Sequence, residues 1–138
     1  MDARTAITFT AAALVACFAF SAGASFAQLR PVAMLDQLQD GAWEVRLRDA
    51  PGRPRRICLR DARKLIQLRH PGQSCSSVVV EDTPEAVTVQ YTCRGQGYGR
   101  THVRREADNL AQIDSQGIAH GLPFSFAAEA RRVGACRN

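Results

Sequence analysis

The segment from Cys75 to Cys93, CSSVVVEDTPEAVTVQYTC, constrains this chain more than any other, because it begins and ends in cysteine and holds Pro84 nine residues from each end. Within it Val87, Val89, Tyr91 and Cys93 alternate with Thr88, Gln90 and Thr92, the two-residue period of a strand with one buried face. Folding the segment back at Pro84 sets Val79 against Val89, Ser77 against Tyr91 and Cys75 against Cys93, all on one side of a sheet. A hairpin closed by its own end cysteines is the expectation.

Similar patterns recur on both sides. Trp43, Val45 and Leu47 alternate with Glu44, Arg46 and Arg48, which predicts a strand. Ala50 to Pro54 is turn chemistry, with two prolines and a glycine, and Arg55 to Arg60 is the expected return strand. Pro31 to Asp40 carries Val32, Leu35 and Leu38 three apart and is followed by Gly41, the marks of a short helix. Asp61 is placed to cap a second one over Ala62 to Leu68, stopped by His70, Pro71 and Gly72.

Past Gly95, Tyr98 to Glu106 is a predicted strand that turns at Asp108 and Asn109. Leu110 to His120, with Leu110, Ile113 and Ile118 as its only large apolar residues, is expected at a sheet edge. Phe124, Phe126, Ala128 and Ala130 then alternate with Ser125, Ala127, Glu129 and Arg131 as a final strand. Short strands separated by turns predict a mainly all-β fold, an antiparallel meander forming a small barrel or a strongly curved sheet, with one or two short helices. Trp43 is expected in its core.

The amino-terminal residues have Arg4, an apolar run from Ala6 to Phe20, and small residues ending in Ser25-Phe26-Ala27, the layout of a secretory signal over residues 1–27. A single domain over 28–138 remains, in which no segment reaches the roughly 20 apolar residues of a membrane-spanning helix. Leu14-Val15-Ala16-Cys17 has the form of a bacterial lipobox, so lipidation at Cys17 is the alternative, giving a membrane-tethered protein. The apolar run continues past Cys17, and the cut is expected after Ala27, giving a periplasmic or secreted product.

Removal of that signal leaves Cys58, Cys75, Cys93 and Cys136, an even number in an exported chain, and disulfides are the expected use. No CxxC pair is present, so zinc-knuckle and thioredoxin-like spacings are excluded. Four cysteines allow three pairings. If the hairpin register holds, Cys75 joins Cys93 and Cys58 is left for Cys136. Strict alternation with Ile57 and Leu59 then turns Cys58 away from the apolar side, unless a bulge intervenes.

Gly41-Ala42-Trp43-Glu44-Val45, Cys58-Leu59, Cys75, Tyr91-Thr92-Cys93-Arg94-Gly95 and Arg131-Arg132-Val133-Gly134-Ala135-Cys136, in that order, resemble the DUF3617 family of exported proteobacterial proteins. The resemblance covers nearly all of the chain beyond the signal. A threonine usually follows the Cys-Leu pair in that family, where this chain has Arg60. The resemblance implies a small secreted or periplasmic β-rich domain with paired cysteines, and it implies no activity, ligand or catalytic residue.

Catalytic motifs are missing from the sequence: it holds no GxSxG, no HExxH, no phosphate-cradling glycine loop and no carboxylate pair at helical or strand spacing. His70, His102 and His120 lack metal-ligand spacing and are expected to be solvated, and neither metal nor cofactor is implied. Charge is more informative. Between Arg46 and Arg69 nine basic residues face only Asp49 and Asp61, whereas the chain as a whole carries +5.

On the strand reading Arg46 and Arg48 share an outer face with Arg56 and Arg60, where clustered guanidinium groups would bind phosphates or carboxylates. A solvated face is the competing explanation for such a charge run. For an exported protein the expected anionic partners are lipid headgroups, lipopolysaccharide or acidic glycans rather than nucleic acid. The function expected is therefore a non-enzymatic envelope domain that binds an anionic ligand. An inhibitor of an envelope enzyme and a small-ligand carrier are the alternatives.

Overall fold

The computed structural model describes residues 32–137; the signal expected over residues 1–27, Cys17, and the Pro31 start of the first predicted helix lie outside the described residues. Seven antiparallel strands form one sheet: β1 (Gly41–Leu47), β2 (Arg55–Leu59), β3 (Cys75–Asp82), β4 (Ala86–Cys93), β5 (Gly97–Ala107), β6 (Leu110–Ala119) and β7 (Leu122–Gly134). Their order across the sheet is β2-β1-β7-β6-β5-β4-β3. The last five strands are thus a meander, while the β1–β2 hairpin attaches beside β7. No ladder joins β2 to β3, so the sheet curves without closing into a barrel.

The alternation sets the inner face. Trp43 and Val45 from β1, Ala128 and Ala130 from β7, Ile113 from β6, Val103 from β5 and Val87, Val89 and Tyr91 from β4 make one buried cluster. Two irregular segments cover it. Residues ahead of β1 contribute Met34, Leu35 and Leu38, and the β2–β3 crossover, which must pass from one edge of the sheet to the other, contributes Leu65 and Ile66. Thr101 anchors the crossover by donating from its hydroxyl to the Ile66 carbonyl, so a buried backbone acceptor is satisfied where the strap crosses β5.

Both predicted helices shrink to single 3-10 turns, Leu35–Gln37 and Ala62–Leu65. Asp61 does cap the second, its carboxylate accepting from the Arg63 amide, but a segment stretched across a sheet leaves no length for an α-helix to propagate. Arg63 also meets Asp36, at 3.6 Å, and so ties the two covering segments together.

The opening hairpin forms in the register the alternation demands, with Cys75 opposite Cys93, Ser77 opposite Tyr91 and Val79 opposite Val89. A bulge between Val79 and Glu81 is the single departure in that ladder. Disulfides link Cys75 to Cys93 and Cys58 to Cys136. No bulge intervenes at Cys58, which stands opposite Ala42, while Ile57 on the core side stands opposite Trp43. The second bond therefore lies on the face of the sheet away from the core.

One expectation is reversed. Leu110–Ala119 form β6, which pairs with β5 on one side and β7 on the other and is the middle strand of the sheet, not its edge. Its inner face is buried through small side chains, Ala111 and Ser115 beside Ile113, where the strap lies close above. Ser115 shares a hydrogen bond with Thr101 at 2.7 Å, so a polar residue there is satisfied rather than exposed.

Candidate functional site: an arginine-lined cleft at the end of strand β1

The four arginines expected to share a patch are dispersed. Arg46 and Arg56 lie on the outer face, but Arg56 is paired with Glu44, its direct cross-strand neighbour, at 3.1 Å. Arg48 falls beyond the end of β1 and its guanidinium donates to the buried side-chain oxygen of Gln112. Arg60 lies beyond β2 at the opposite end of the hairpin, since Leu59 pairs with Gly41. Elsewhere on this face Arg104 pairs with Glu106 at 2.8 Å and Arg131 with Glu129 at 3.2 Å. Glutamates thus neutralise much of the outer surface, and exposed pairs of this kind contribute little stability.

A different set of arginines converges. β7 outruns β1: Leu47 is the last strand residue opposite it, at Ala128, and the Arg48 amide makes a final bond to the Ala127 carbonyl. The strand from Pro123 to Phe126 therefore has one edge uncovered, and the β1–β2 loop arches over it. Between them lies a cleft of about 530 Å³. Arg46, Arg53, Arg55 and Arg69 line it, and no aspartate or glutamate does. Its apolar wall is Phe124 and Phe126, with Leu47 and Leu68 alongside.

Local sequence explains each contribution. Arg55 pairs with Val45 and so stands on the inner side of β2, unlike its neighbour Arg56. Its guanidinium reaches the Leu68 carbonyl of the strap at 3.4 Å. Arg53 comes from the Pro-Gly-Arg-Pro turn. Arg69, from the strap, lies over the Phe124 ring with 5.5 Å between guanidinium carbon and ring centroid. Phe124 and Phe126 stack, their centroids 6.1 Å apart.

His70 braces this arrangement from behind. It is only 2% exposed, which corrects the expectation of a solvated side chain. One ring nitrogen lies 3.1 Å from the Tyr91 hydroxyl and the other 3.1 Å from the Gln96 carbonyl. A carbonyl can only accept, so the Nε2–H donates to Gln96, and the Tyr91 hydroxyl bonds the other ring nitrogen. The same ring meets the edge of Phe124. Burial pushes the Tyr91 phenol up to about 12, opposed in part by the positive charge of Arg69.

Gly99 makes this packing possible: a Cβ there would sit 2.5 Å from the Tyr91 hydroxyl oxygen. The other histidines play no part in it. His102 bonds to Thr88 on the outer face at 2.9 Å, and His120 occupies the β6–β7 turn.

An anion entering the cleft meets arginine side chains with no competing carboxylate, and its apolar part meets two phenyl rings. Sequence reasoning singled out Arg46 among these residues and missed Arg53, Arg55 and Arg69 as a group. Phe124 and Phe126 were read simply as a strand face. The available signal was the alternation itself, which puts Arg55 on the side of Ile57 and Leu59. Among the described residues no cluster of His, Cys, Asp or Glu is placed to hold a metal ion, and no helix is long and apolar enough to cross a membrane. No known protein family, characterised protein or solved structure matches the chain.

Proposed function

We propose that this chain is a non-enzymatic binding domain of the bacterial cell envelope that takes up an anionic, partly apolar molecule in the cleft between β7, the β1–β2 loop and the strap. The observation that carries this reading is a lining with four arginines, two phenylalanines and no acidic side chain. Arginine suits the role because its planar fork bonds carboxylate or phosphate oxygens in pairs and also stacks on aromatic rings. The volume lies within the roughly 300–1,000 Å³ of ordinary small-molecule sites. Two disulfides fit an oxidising compartment outside the cytoplasm. The DUF3617 resemblance supports the same location.

The cleft favours the carrier reading over the inhibitor reading, because it is concave and holds apolar and cationic groups together. Titration with anilinonaphthalene sulfonate, an aromatic anion, tests the proposal. One site per chain is expected, weakened at least tenfold by the pair Arg53→Ala and Arg69→Ala and little changed by the pair Arg56→Ala and Arg60→Ala. Equal binding to both variants would refute it.

A further inference from the structure

We infer that the ligand is a single-chain amphiphile, an anionic head on one unbranched acyl chain, whose head lies among the arginines of the cleft and whose tail runs beneath Arg55 into a second cleft. The inference rests on the binding reading above. The second cleft, about 450 Å³, lies between β2 and the strap. Ile57, Cys58, Leu68 and Pro71 line it, with Lys64 and Gln67. Arg55 and Leu68 belong to both clefts.

What separates the two spaces is the Arg55 side chain, held across the gap by one hydrogen bond of 3.4 Å to the Leu68 carbonyl. That bond is long and solvent-exposed. Rotating the guanidinium toward the first cleft would join the spaces and add a donor for the head at the same time. The cations are unevenly divided. Arg46, Arg53 and Arg69 belong only to the first cleft, while the second has Lys64, already donating to the Cys58 carbonyl at 3.3 Å. Head and tail are therefore distinguished by position. A compact aromatic anion would use the first cleft alone, and a two-chain lipid has no second channel to occupy.

The test uses the full chain, stripped of bound lipid, and saturated carboxylates from octanoate to palmitate competing with anilinonaphthalene sulfonate. Each methylene removed from water multiplies affinity about fourfold, so palmitate is expected to bind at least tenfold more tightly than octanoate. In Gln67→Trp, which fills the second cleft, the ratio of the two affinities should fall toward one. Palmitate carrying a photoreactive group at its methyl end should label residues 64–72 in the unaltered protein, a readout independent of whether the variant folds.

Palmitoyl lysophosphatidic acid distinguishes a phosphate from a carboxylate head, and tighter binding of either supports the inference and identifies the head. Equal binding of uncharged hexadecanol, an affinity that stops rising beyond octanoate, or labelling confined to residues 123–126 would overturn it. The sulfonate probe still binding in those cases would leave the cleft itself intact as an anion site; loss of probe binding would remove both.

Discussion

Tyr91 is held by a hydroxyl–imidazole bond on one side and packs directly on Gly99 on the other, and its burial has a consequence for pH. Its proton is bound more tightly in the folded chain, at about 12, than at the ordinary value of 10. A raised acid pKa stabilises the fold while the group is protonated, so the contribution is complete below about pH 10 and lost as pH rises toward 12. On the order of 2 kcal/mol should disappear across that window. Urea unfolding at about pH 9 and about pH 11.5 measures it. Tyr91→Phe should be less stable at the lower pH by about 1 kcal/mol, through the lost bond to His70, yet show a flatter alkaline decline. An unchanged alkaline slope in that variant would assign the effect to another group. The sequence showed Tyr91 on a buried face. It did not show His70 beside it, because a histidine followed by Pro-Gly has the local marks of a turn and its burial comes from a strand 21 residues away.

Strands with large apolar residues on one face were legible, and the Cys75–Cys93 hairpin was legible in its register, because cysteine, valine and tyrosine at two-residue spacing leave one way to share a side. β6 was not. A strand in the middle of a sheet needs only side chains that fit beneath whatever covers it, and here Ser115 bonds Thr101, which in turn bonds the strap. Its outer side conceals a glutamine under Arg48, Glu106 and Glu129. Neither feature has an apolar signature. The two disulfides should differ in effect at this scale. Cys75 and Cys93 are 18 residues apart and already opposed in a ladder, whereas Cys58 and Cys136 are 78 apart and hold β2 to the carboxy-terminal tail. Chain-entropy arguments give about 3 and about 4.5 kcal/mol respectively. Replacing Cys58 and Cys136 together by serine should therefore lower the urea midpoint more than replacing Cys75 and Cys93. The reverse order would mean that the hairpin depends on its bond more than its ladder suggests.

The cleft belongs to the whole molecule, and for that reason little of it could be read from the chain. Arg46, Arg53 and Arg55 come from the first hairpin, Arg69 from the strap and Phe124 and Phe126 from the last strand, and only the placement of β7 beside β1 brings them together. A meander read from strand order alone would have put β3 next to β2 and left those phenylalanines far from any arginine of the hairpin. The single tryptophan reports on that placement, since Trp43 is fully buried and stands opposite Arg132 of β7. A chain ending at Gly121 should keep the Cys75–Cys93 bond while its tryptophan fluorescence shifts to the red, as expected of an indole in water. A buried emission from that shortened chain would show that β1 finds its place without β7. Synthesis proceeds from the amino terminus at about 5–20 residues per second, so the strand that joins the two parts of this sheet is the last to be made. Until it arrives β1 has an open edge, Cys58 has no proper partner, and the first other cysteine downstream is Cys75. A nascent chain halted at Phe126 has the first six strands and none of the β1–β7 junction, and the cysteine then within reach of Cys58 is not its partner.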